Sequence, residues 1–370
     1  MLDFDKYNLI RPEWLLNVPK RTDEPPTKGL RGLLLRLIQG QNLSRTEAAQ
    51  LLNQLLDGEA TDTQISAALV ALAIKGETTD ELAGMAEAMR AHSVKINSRH
   101  TNFIDTAGTG SSRAKTFNVS TAAAFVIAGA GLPVAKHGSR AATSKSGSAD
   151  VLMALGVNVS ASRETSERCL NEIDICFMFA PLYHASTARV AAVRRELSVH
   201  TTFNLLGPLT NPASAPFQIL GVWHEALVAP VAKTLAALGI ERAWVVHGLD
   251  GLDEITVADK TAVAEITGDY IKFFQITPEQ LGFERAKKED LEKIRGGKPV
   301  DNAQIIHDVL QVKRGGTARS LVVINAAAAL FVGGRAKDLE QAVKLANRSL
   351  DDGKALTKLD ELIRLTNEKK

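Results

Sequence analysis

The feature that most constrains the fold is an alternation of short apolar runs with helical segments, which begins at Phe103. Runs of strand length are followed by alanine-rich or periodic stretches, with turn residues between them. Such an alternation is typical of a mainly parallel sheet that is covered by helices on both faces. The predicted strands are 103–105, 133–135, 176–179, 218–222 and 243–246, and the predicted helices include 120–129, 148–155 and 227–238.

Two further strands, 262–266 and 270–274, are separated by the turn sequence Thr267-Gly268-Asp269. This spacing predicts a hairpin, which we expect at the edge of the sheet. From Asn302 onward the sequence predicts helices.

The N-terminal part has a different pattern, with three capping-box motifs that begin at Ser44, Thr61 and Thr78. In each motif a hydroxyl residue is followed three positions later by Glu or Gln, so that the two side chains satisfy free amides at a helix start. Residues 29–97 are therefore predicted to form a small all-helical domain, preceded by a polar extension over residues 1–28. The predicted fold class is α/β, with this helical domain and a larger domain built on a mainly parallel central sheet flanked by helices.

Composition excludes several classes of function. The 370 residues carry a formal net charge of only +2, which does not favour a nucleic-acid-binding surface. No signal peptide and no apolar run of membrane-spanning length is found, so a cytoplasmic protein without membrane contact is expected. Cys169 and Cys176 are too few to suggest a disulfide framework or a zinc cluster, and we interpret them as reduced structural thiols.

A glycine-rich loop follows the first predicted strand, with Gly108-Thr109-Gly110 ahead of a helix that opens at Ser120. Glycines allow the backbone to approach a phosphate closely, and a helix start offers free amides. The loop also supplies the hydroxyls of Thr116, Ser120 and Thr121 and the amide of Asn118. The spacing matches neither the dinucleotide fingerprint nor the P-loop.

A second polar loop follows the next predicted strand and contains Lys136, His137, Ser139 and Arg140, with further hydroxyl residues up to Ser148. Because the carboxyl ends of parallel strands meet at one edge of a sheet, both loops are expected to lie close together. Cations in such loops favour binding of a phosphorylated ligand.

Adjacent carboxylates, Asp253 and Glu254, follow the strand predicted at 243–246. Magnesium commonly takes one or two carboxylates together with waters and substrate phosphate oxygens. Beside two phosphate loops, this pair predicts a Mg²⁺ site.

Arginines near such a site could bind the carboxylate of a second substrate through paired hydrogen bonds. The sequence offers Arg189, Arg194 and Arg195, and its physical pattern does not discriminate among them. The role of His184 also stays open. Five other histidines have no metal-binding spacing and are interpreted as structural: His92, His100, His200, His224 and His307.

Through four motifs, the chain resembles the anthranilate phosphoribosyltransferase family. Its members are class III phosphoribosyltransferases of tryptophan biosynthesis with a nucleoside phosphorylase-like fold. The resemblance covers about residues 31–365 and depends on segments 108–121, 136–140, 203–212 and 247–254. It implies Mg²⁺-dependent transfer of 5-phosphoribose from phosphoribosyl pyrophosphate to the amine of anthranilate, giving N-(5-phosphoribosyl)anthranilate and pyrophosphate. It implies catalysis by positioning and electrostatics, without an identified catalytic acid or base.

The resemblance also implies particular roles for residues of this chain. The segment of about 186–206 would join the helical domain, which would form a homodimer, and residues 98–185 and 207–370 would form the α/β domain, with a hinge near 97–102. The predicted donor site is Gly108, Ser111, Ser112, Thr116, Asn118, Val119, Ser120, Thr121, Lys136, Arg140, Ser144 and Ser148. The predicted acceptor site is Gly108, His137, Ser139, His184 and Arg194, and the predicted metal ligands are Ser120, Asp253 and Glu254.

Two loops differ from the family's usual pattern. Ser111-Ser112-Arg113 replaces Gly-Asp-Gly, and Ser139 replaces Asn. Both loops belong to the predicted substrate sites. A paralogue that uses the same donor with another aromatic or amine acceptor is therefore an alternative. A pyrimidine-nucleoside phosphorylase and a nucleic-acid-binding relative are further alternatives, which Asp253, Glu254 and the small net charge disfavour.

Overall fold

The computed structural model describes residues 29–110, 112, 114–141 and 145–368. The predicted extension, residues 1–28, and the predicted donor-site residues Ser111 and Ser144 lie outside the described residues.

The chain begins, within the described part, with four packed helices. They are α1 (Gly29–Ile38), α2 (Arg45–Leu56), α3 (Asp62–Lys75) and α4 (Thr79–Ala91). The three predicted capping boxes are confirmed at the starts of α2, α3 and α4. At α3, for example, Thr61 Oγ1 accepts the Gln64 N–H at 3.2 Å, and Gln64 Oε1 accepts the Thr61 N–H at 2.8 Å.

A seven-stranded sheet follows, and its spatial order is β3-β2-β1-β4-β5-β6-β7. The first five strands are parallel, whereas β6 and β7 form an antiparallel hairpin at one edge. The predictions of a mainly parallel sheet and of an edge hairpin are both confirmed. The strands are β1 (Ile104–Gly108), β2 (Val134–Gly138), β3 (Ile175–Phe179), β4 (Phe217–Gly221), β5 (Arg242–Gly248), β6 (Thr261–Thr267) and β7 (Tyr270–Ile276).

The remaining helices connect and cover these strands. In chain order they are α5 (Val119–Gly129), α6 (Ser148–Ala154), α7 (Arg163–Ile173), α8 (Ala180–Tyr183), α9 (Ala188–Leu197), α10 (Phe203–Leu209), α11 (Val228–Ala237), α12 (Lys288–Glu292), α13 (Pro299–Leu310), α14 (Gly316–Val332), α15 (Leu339–Asp351) and α16 (Lys354–Asn367). The helical C-terminal region was predicted from Asn302, and its first long helix begins at Pro299.

Two hydrophobic cores cover the two faces of the sheet. One contains α5 and α14, which pack against each other, and it buries Trp244. The other joins the N-terminal helices to the opposite face of the sheet through residues such as Leu220 and Val245. Val190 and Val193 of α9 also belong to this second core. The sheet that carries β1 and β2 is therefore covered by helices from both the N-terminal and the C-terminal part of the chain.

Within the residues that the structure describes, no helix combines the length and the apolar character needed to cross a membrane. Both cysteines are buried and free. Burial raises the pKa of Cys169 to about 12 and raises that of Cys176 well above its ordinary value, so both thiols stay protonated at neutral pH. This agrees with their interpretation as structural thiols.

Candidate active site

A cavity of about 290 Å³ lies at the C-terminal ends of β1 and β2, where both polar loops meet. All the predicted donor-site residues that the structure describes line it. They are Gly108, Ser112, Thr116, Asn118, Val119, Ser120, Thr121, Lys136, Arg140 and Ser148. Asp253 and Glu254 line the same cavity, so the three segments predicted to handle phosphate and metal do come together.

Lys136 lines this cavity and is 4% exposed. Its Nζ donates to the backbone carbonyl of Thr106 and lies 3.4 Å from Ser120 Oγ. Burial lowers the pKa of Lys136, and the carboxylates of Asp105 and Glu254 oppose that change. A buried cation that lines a polar cavity favours an anionic ligand.

The two acidic residues line the same cavity, beside the start of α5. Glu254 Oε1 accepts the backbone N–H of Ser120 at 3.1 Å. Burial raises the pKa of Glu254, and the adjacent carboxylate of Asp253 raises it further. Among the described residues no group of three or more His, Cys, Asp or Glu side chains could hold a metal by itself.

Such a donor set suits Mg²⁺ better than a metal that needs a full protein cage. Two adjacent carboxylates and the Ser120 hydroxyl are hard oxygen donors, and a phosphorylated ligand would supply the remaining oxygens. A bound cation would also offset the repulsion between the two carboxylates, which is one cause of the raised pKa of Glu254. The residues present therefore fit the predicted magnesium site.

Gly221 allows the acidic loop to approach the sheet. A Cβ atom at this position would lie 1.7 Å from the backbone oxygen of Asp253. Gly108 has a similar function, because its Cβ would lie 3.2 Å from Asp253 Oδ2. The close approach of β4 to the acidic loop therefore requires glycine at position 221, whereas a Cβ at position 108 would displace the Asp253 carboxylate only slightly.

Asn118 ties the two phosphate loops together. Its Oδ1 accepts from Ser146 Oγ at 3.2 Å and from Asn302 Nδ2 at 2.9 Å, and its Nδ2 donates to the carbonyl of Ser146 at 3.2 Å. Asn302 comes from α13, which the sequence did not connect with the site. The amide predicted as a ligand therefore also fixes the shape of the cavity.

A second cavity, of about 320 Å³, opens beside the first and is less polar. All five predicted acceptor-site residues line it: Gly108, His137, Ser139, His184 and Arg194. The two cavities share part of their walls, namely Ala107, Gly108, Thr109, His137, Gly138, Ser139, Arg140 and Asn204. Aliphatic and aromatic walls come from Met89, Ala180, Pro181, Ala185, Ala188, Ala191, Phe203 and Pro208.

The structure distinguishes the three candidate arginines. Arg194 lines the second cavity, where its Nε donates to Thr201 Oγ1 at 3.0 Å and one of its amino groups donates to Asn204 Oδ1 at 3.2 Å. Arg195 is exposed, and Arg189 pairs with Asp62 at 2.7 Å. Arg194 is thus the arginine that can meet a ligand in this cavity.

His137 and His184 lie side by side in the same cavity, with ring centroids 5.0 Å apart. His137 Nδ1 hydrogen-bonds with the carbonyl of Gly207 at 3.2 Å, which requires the proton on Nδ1 in the neutral ring. Its buried Nε2 has no hydrogen-bond partner among the described residues. Burial lowers the pKa of His137 to about 3 and that of His184 to about 4, so both rings are neutral at pH 7.

Asn204 is a cavity residue to which the sequence assigned no role. It lines both cavities, and its Oδ1 accepts from Arg194 and from the backbone N–H of Thr201. In the sequence, only its place in the 203–212 motif indicates that Asn204 could belong to the site. That motif forms α10, which brings Asn204 and Phe203 to the cleft between the helical bundle and the sheet.

Comparisons with known proteins agree with this architecture. The model of the glycosyl transferase family, helical bundle domain, matches residues 31–93, and the model of the glycosyl transferase family, a/b domain, matches residues 100–356. Among solved structures, anthranilate phosphoribosyltransferase from Thermus thermophilus superposes with a TM-score of 0.85 at 37% identity, covering 91% of this chain and 99% of that one. The enzyme from Saccharomyces cerevisiae, in complex with PRPP and Mg, gives 0.82 at 29% identity, covering 91% and 97%.

Sequence relatives have the same name. Anthranilate phosphoribosyltransferase of Anaeromyxobacter dehalogenans is 50% identical over 333 residues, which are 90% of this chain and 97% of the relative. That of Methanobrevibacter smithii is 46% identical over 334 residues, covering 90% and 98%. The chain therefore belongs to the anthranilate phosphoribosyltransferase family.

Proposed function

We propose that this protein catalyses the Mg²⁺-dependent transfer of 5-phosphoribose from phosphoribosyl pyrophosphate to the amine of anthranilate, as in tryptophan biosynthesis. The observation that carries the proposal is the shared wall between the two cavities. One cavity offers Lys136 and two carboxylates, and the other offers Arg194 beside an aromatic ring. A phosphosugar in the first and an aromatic acid in the second would meet at Gly108 and Asn204.

The donor cavity is suited to a reaction in which pyrophosphate leaves C1 of the ribose. Negative charge develops on the leaving group, and the buried cation Lys136 together with the free amides at the start of α5 would stabilise it. Ser120, Asp253 and Glu254 would hold the metal. Mg²⁺ supplies positive charge to the departing pyrophosphate when it is bound.

The acceptor cavity is suited to a planar aromatic acid. Arg194 would bind the carboxylate, with its guanidinium held in one orientation by Thr201 and Asn204. The aromatic amine is neutral at pH 7, so the contribution of the chain is orientation of the amine towards C1 rather than removal of a proton before attack.

Loss of anthranilate fluorescence in the presence of phosphoribosyl pyrophosphate and Mg²⁺ tests this function directly. We expect the signal to fall with time, and to be stable when either the donor or Mg²⁺ is left out. A folded protein that turned over another amine, but left anthranilate unchanged, would refute this acceptor assignment and support the paralogue alternative.

We further propose that two copies associate through the helical domain. Three apolar side chains on the neighbouring helices α1 and α3 are exposed: Ile38 (64%), Val70 (37%) and Ile74 (83%). Val70 and Ile74 are four positions apart and therefore lie on one face of α3. Light scattering after size exclusion should give twice the chain mass, and Ile74→Glu should yield monomers. A monomeric wild-type protein would refute the dimer.

The division into domains stays a proposal as well. We assign residues 29–97 and about 186–206 to the helical domain, and residues 98–185 and 207–370 to the α/β domain, with a hinge near 97–102. Packing of α9, which carries Val190 and Val193, against α2 and α3 supports this assignment, as does the ion pair of Arg189 with Asp62. The cytoplasmic location stays a prediction from the sequence.

A further inference from the structure

The two central strands of the site are paired at only one point. β1 pairs with β4 through five residues, and β2 pairs with β3 through five, but the register between β1 and β2 consists of the single pair Ile104–Val134. If that register continued, the N–H of His137 would face the carbonyl of Thr106. Instead, the N–H of His137 and the carbonyl of Thr106 each form a hydrogen bond with a side chain.

One of these side chains, Asp105, comes from β1, and the other, Lys136, comes from β2. Lys136 Nζ donates to the Thr106 carbonyl, and Asp105 Oδ1 accepts the backbone N–H of His137 at 3.2 Å. Two side-chain hydrogen bonds thus take over the backbone groups of an interrupted ladder. The interruption lies where β1 and β2 enter the walls of both cavities.

Asp105 is completely buried and accepts hydrogen bonds from both neighbouring strands. Besides the His137 N–H of β2, it accepts from Gln218 Nε2 of β4 at 3.4 Å. Gln218 Nε2 also donates at 2.7 Å to the carbonyl of Pro208, which belongs to α10 and lines the acceptor cavity. An ionised carboxylate only accepts hydrogen bonds and therefore satisfies several converging donors.

Asp105 is connected with the acceptor cavity through a single residue, His137. His137 is held twice, by Asp105 at its backbone and by the Gly207 carbonyl at its ring, and within the described residues its buried Nε2 has no hydrogen-bond partner. Lys136 keeps separate contacts with Thr106 and Ser120. The hydrogen bonds that hold Lys136 on the donor side therefore do not involve Asp105, and the carboxylate of Glu254 also supports its charge.

We infer that Asp105 is a positioning residue of this active site, which fixes the backbone of His137 and thereby the face that His137 presents to the acceptor. Asp105 itself lines neither substrate cavity. The inference rests on the proposed function, because it concerns the acceptor half of that site. Alignment of the acceptor, rather than binding of the phosphosugar, would then depend on the buried carboxylate of Asp105.

The chain provides a matched control in Glu81, another completely buried carboxylate. Glu81 accepts the backbone N–H groups of Leu43 and Thr78 and pairs with Lys75 at 2.7 Å, all within the helical domain. Its role is structural. Glu81→Gln and Asp105→Asn each remove one buried charge and keep the shape of the side chain.

Steady-state kinetics with both substrates separate positioning from stability. Asp105→Asn should lower kcat/KM for anthranilate by about tenfold to a hundredfold, the scale of a misaligned reacting group, with KM for phosphoribosyl pyrophosphate within about threefold of wild type. Glu81→Gln should lower Tm and leave both KM values unchanged. Equal losses for both substrates, or an unaltered anthranilate kcat/KM in Asp105→Asn, would overturn the inference.

A double-mutant cycle tests whether Asp105 acts through His137. In a His137→Ala background, Asp105→Asn should change anthranilate kcat/KM by less than about twofold, since coupled residues are not additive. Persistence of the full effect in that background would contradict the inference. If Asp105→Asn does not fold, Gln218→Met removes one of its donors and should give a smaller change of the same kind, an effect on anthranilate only.

Hydrogen exchange of the peptide 134–140 provides a measurement that does not need turnover. Exchange at the His137 amide should be faster in Asp105→Asn and unchanged in Glu81→Gln. A wild-type protein without anthranilate turnover would sink the proposed function, whereas unchanged exchange at His137 in Asp105→Asn would sink this inference by itself.

Discussion

The guanidinium of Arg194 lies 5.4 Å from the centroid of the Phe203 ring. The arginine comes from α9 and the ring from the start of α10, so two consecutive helices hold the cation in one orientation. Burial lowers the pKa of Arg194, and no carboxylate of the described chain lies within ion-pair distance of it. A bound carboxylate would supply the missing counter-charge.

Arg194→Ala should therefore raise KM for anthranilate by about tenfold to a hundredfold, the range expected for a lost hydrogen bond to a charged group. KM for phosphoribosyl pyrophosphate should stay close to the wild-type value, because Arg194 lines only the second cavity. Arg195→Ala is the matched control, since the neighbouring guanidinium is exposed and donates to the carbonyl of Ala191 in its own helix. Similar effects of both substitutions would contradict the assignment of Arg194.

Asp253→Asn should increase the Mg²⁺ concentration needed for half-maximal rate. The substitution removes one of the two carboxylates in the donor cavity and leaves Glu254 as the remaining anionic ligand. A Mg²⁺ titration at saturating substrates measures the change. Asp269→Asn, in the exposed turn between β6 and β7, is the control, and a wild-type titration curve for Asp253→Asn would refute its role as a ligand.

Much of this site follows from sequence because of one topological rule. The loops at 108–121 and 136–148 and the acidic pair each follow a parallel strand, so all of them reach the same edge of the sheet. The capping boxes were predictable for a similar reason, since their partners are three residues apart.

Residues whose roles depend on distant partners could not be predicted. Gln218, a partner of Asp105, lies 113 positions away, and no local pattern connects the two. Only the family resemblance selected Arg194, because Arg194 and Arg195 are consecutive in a helix and differ in the direction they face, which tertiary packing of α9 decides. Asn204 likewise reaches the cleft only because α10 packs between the helical bundle and the sheet.

Gly221→Ala should cost both stability and activity. The new Cβ would overlap the backbone oxygen of Asp253 at 1.7 Å, and backbone cannot move aside as a flexible side chain can. Overpacking of this kind costs about 1–3 kcal/mol, and displacement of Asp253 should also raise the Mg²⁺ requirement. Gly315→Ala has open space at its Cβ and, as a change at the N-cap of α14, should cost no more than about 1 kcal/mol and leave the Mg²⁺ requirement unchanged. Urea denaturation and Mg²⁺ titration of both variants check this, and a fully active, Mg²⁺-normal Gly221→Ala would contradict it.

The free energy of unfolding should fall as the pH decreases from about 7 to 5, in part because of His137 and His184. Their pKa values in the folded protein are about 3 and about 4, against about 6.5 in the unfolded chain, so in this window only the unfolded chain binds the protons. Stability from the neutral rings is complete above the unfolded pKa and is lost as the pH falls towards the folded values. Each histidine contributes at most about 1.4 kcal/mol per pH unit to this change in the free energy of unfolding.

His184→Asn removes one of the two rings, so urea denaturation across this window should show a shallower pH dependence than wild type. An equal or steeper dependence in the variant would show that His184 is not held neutral in the folded protein.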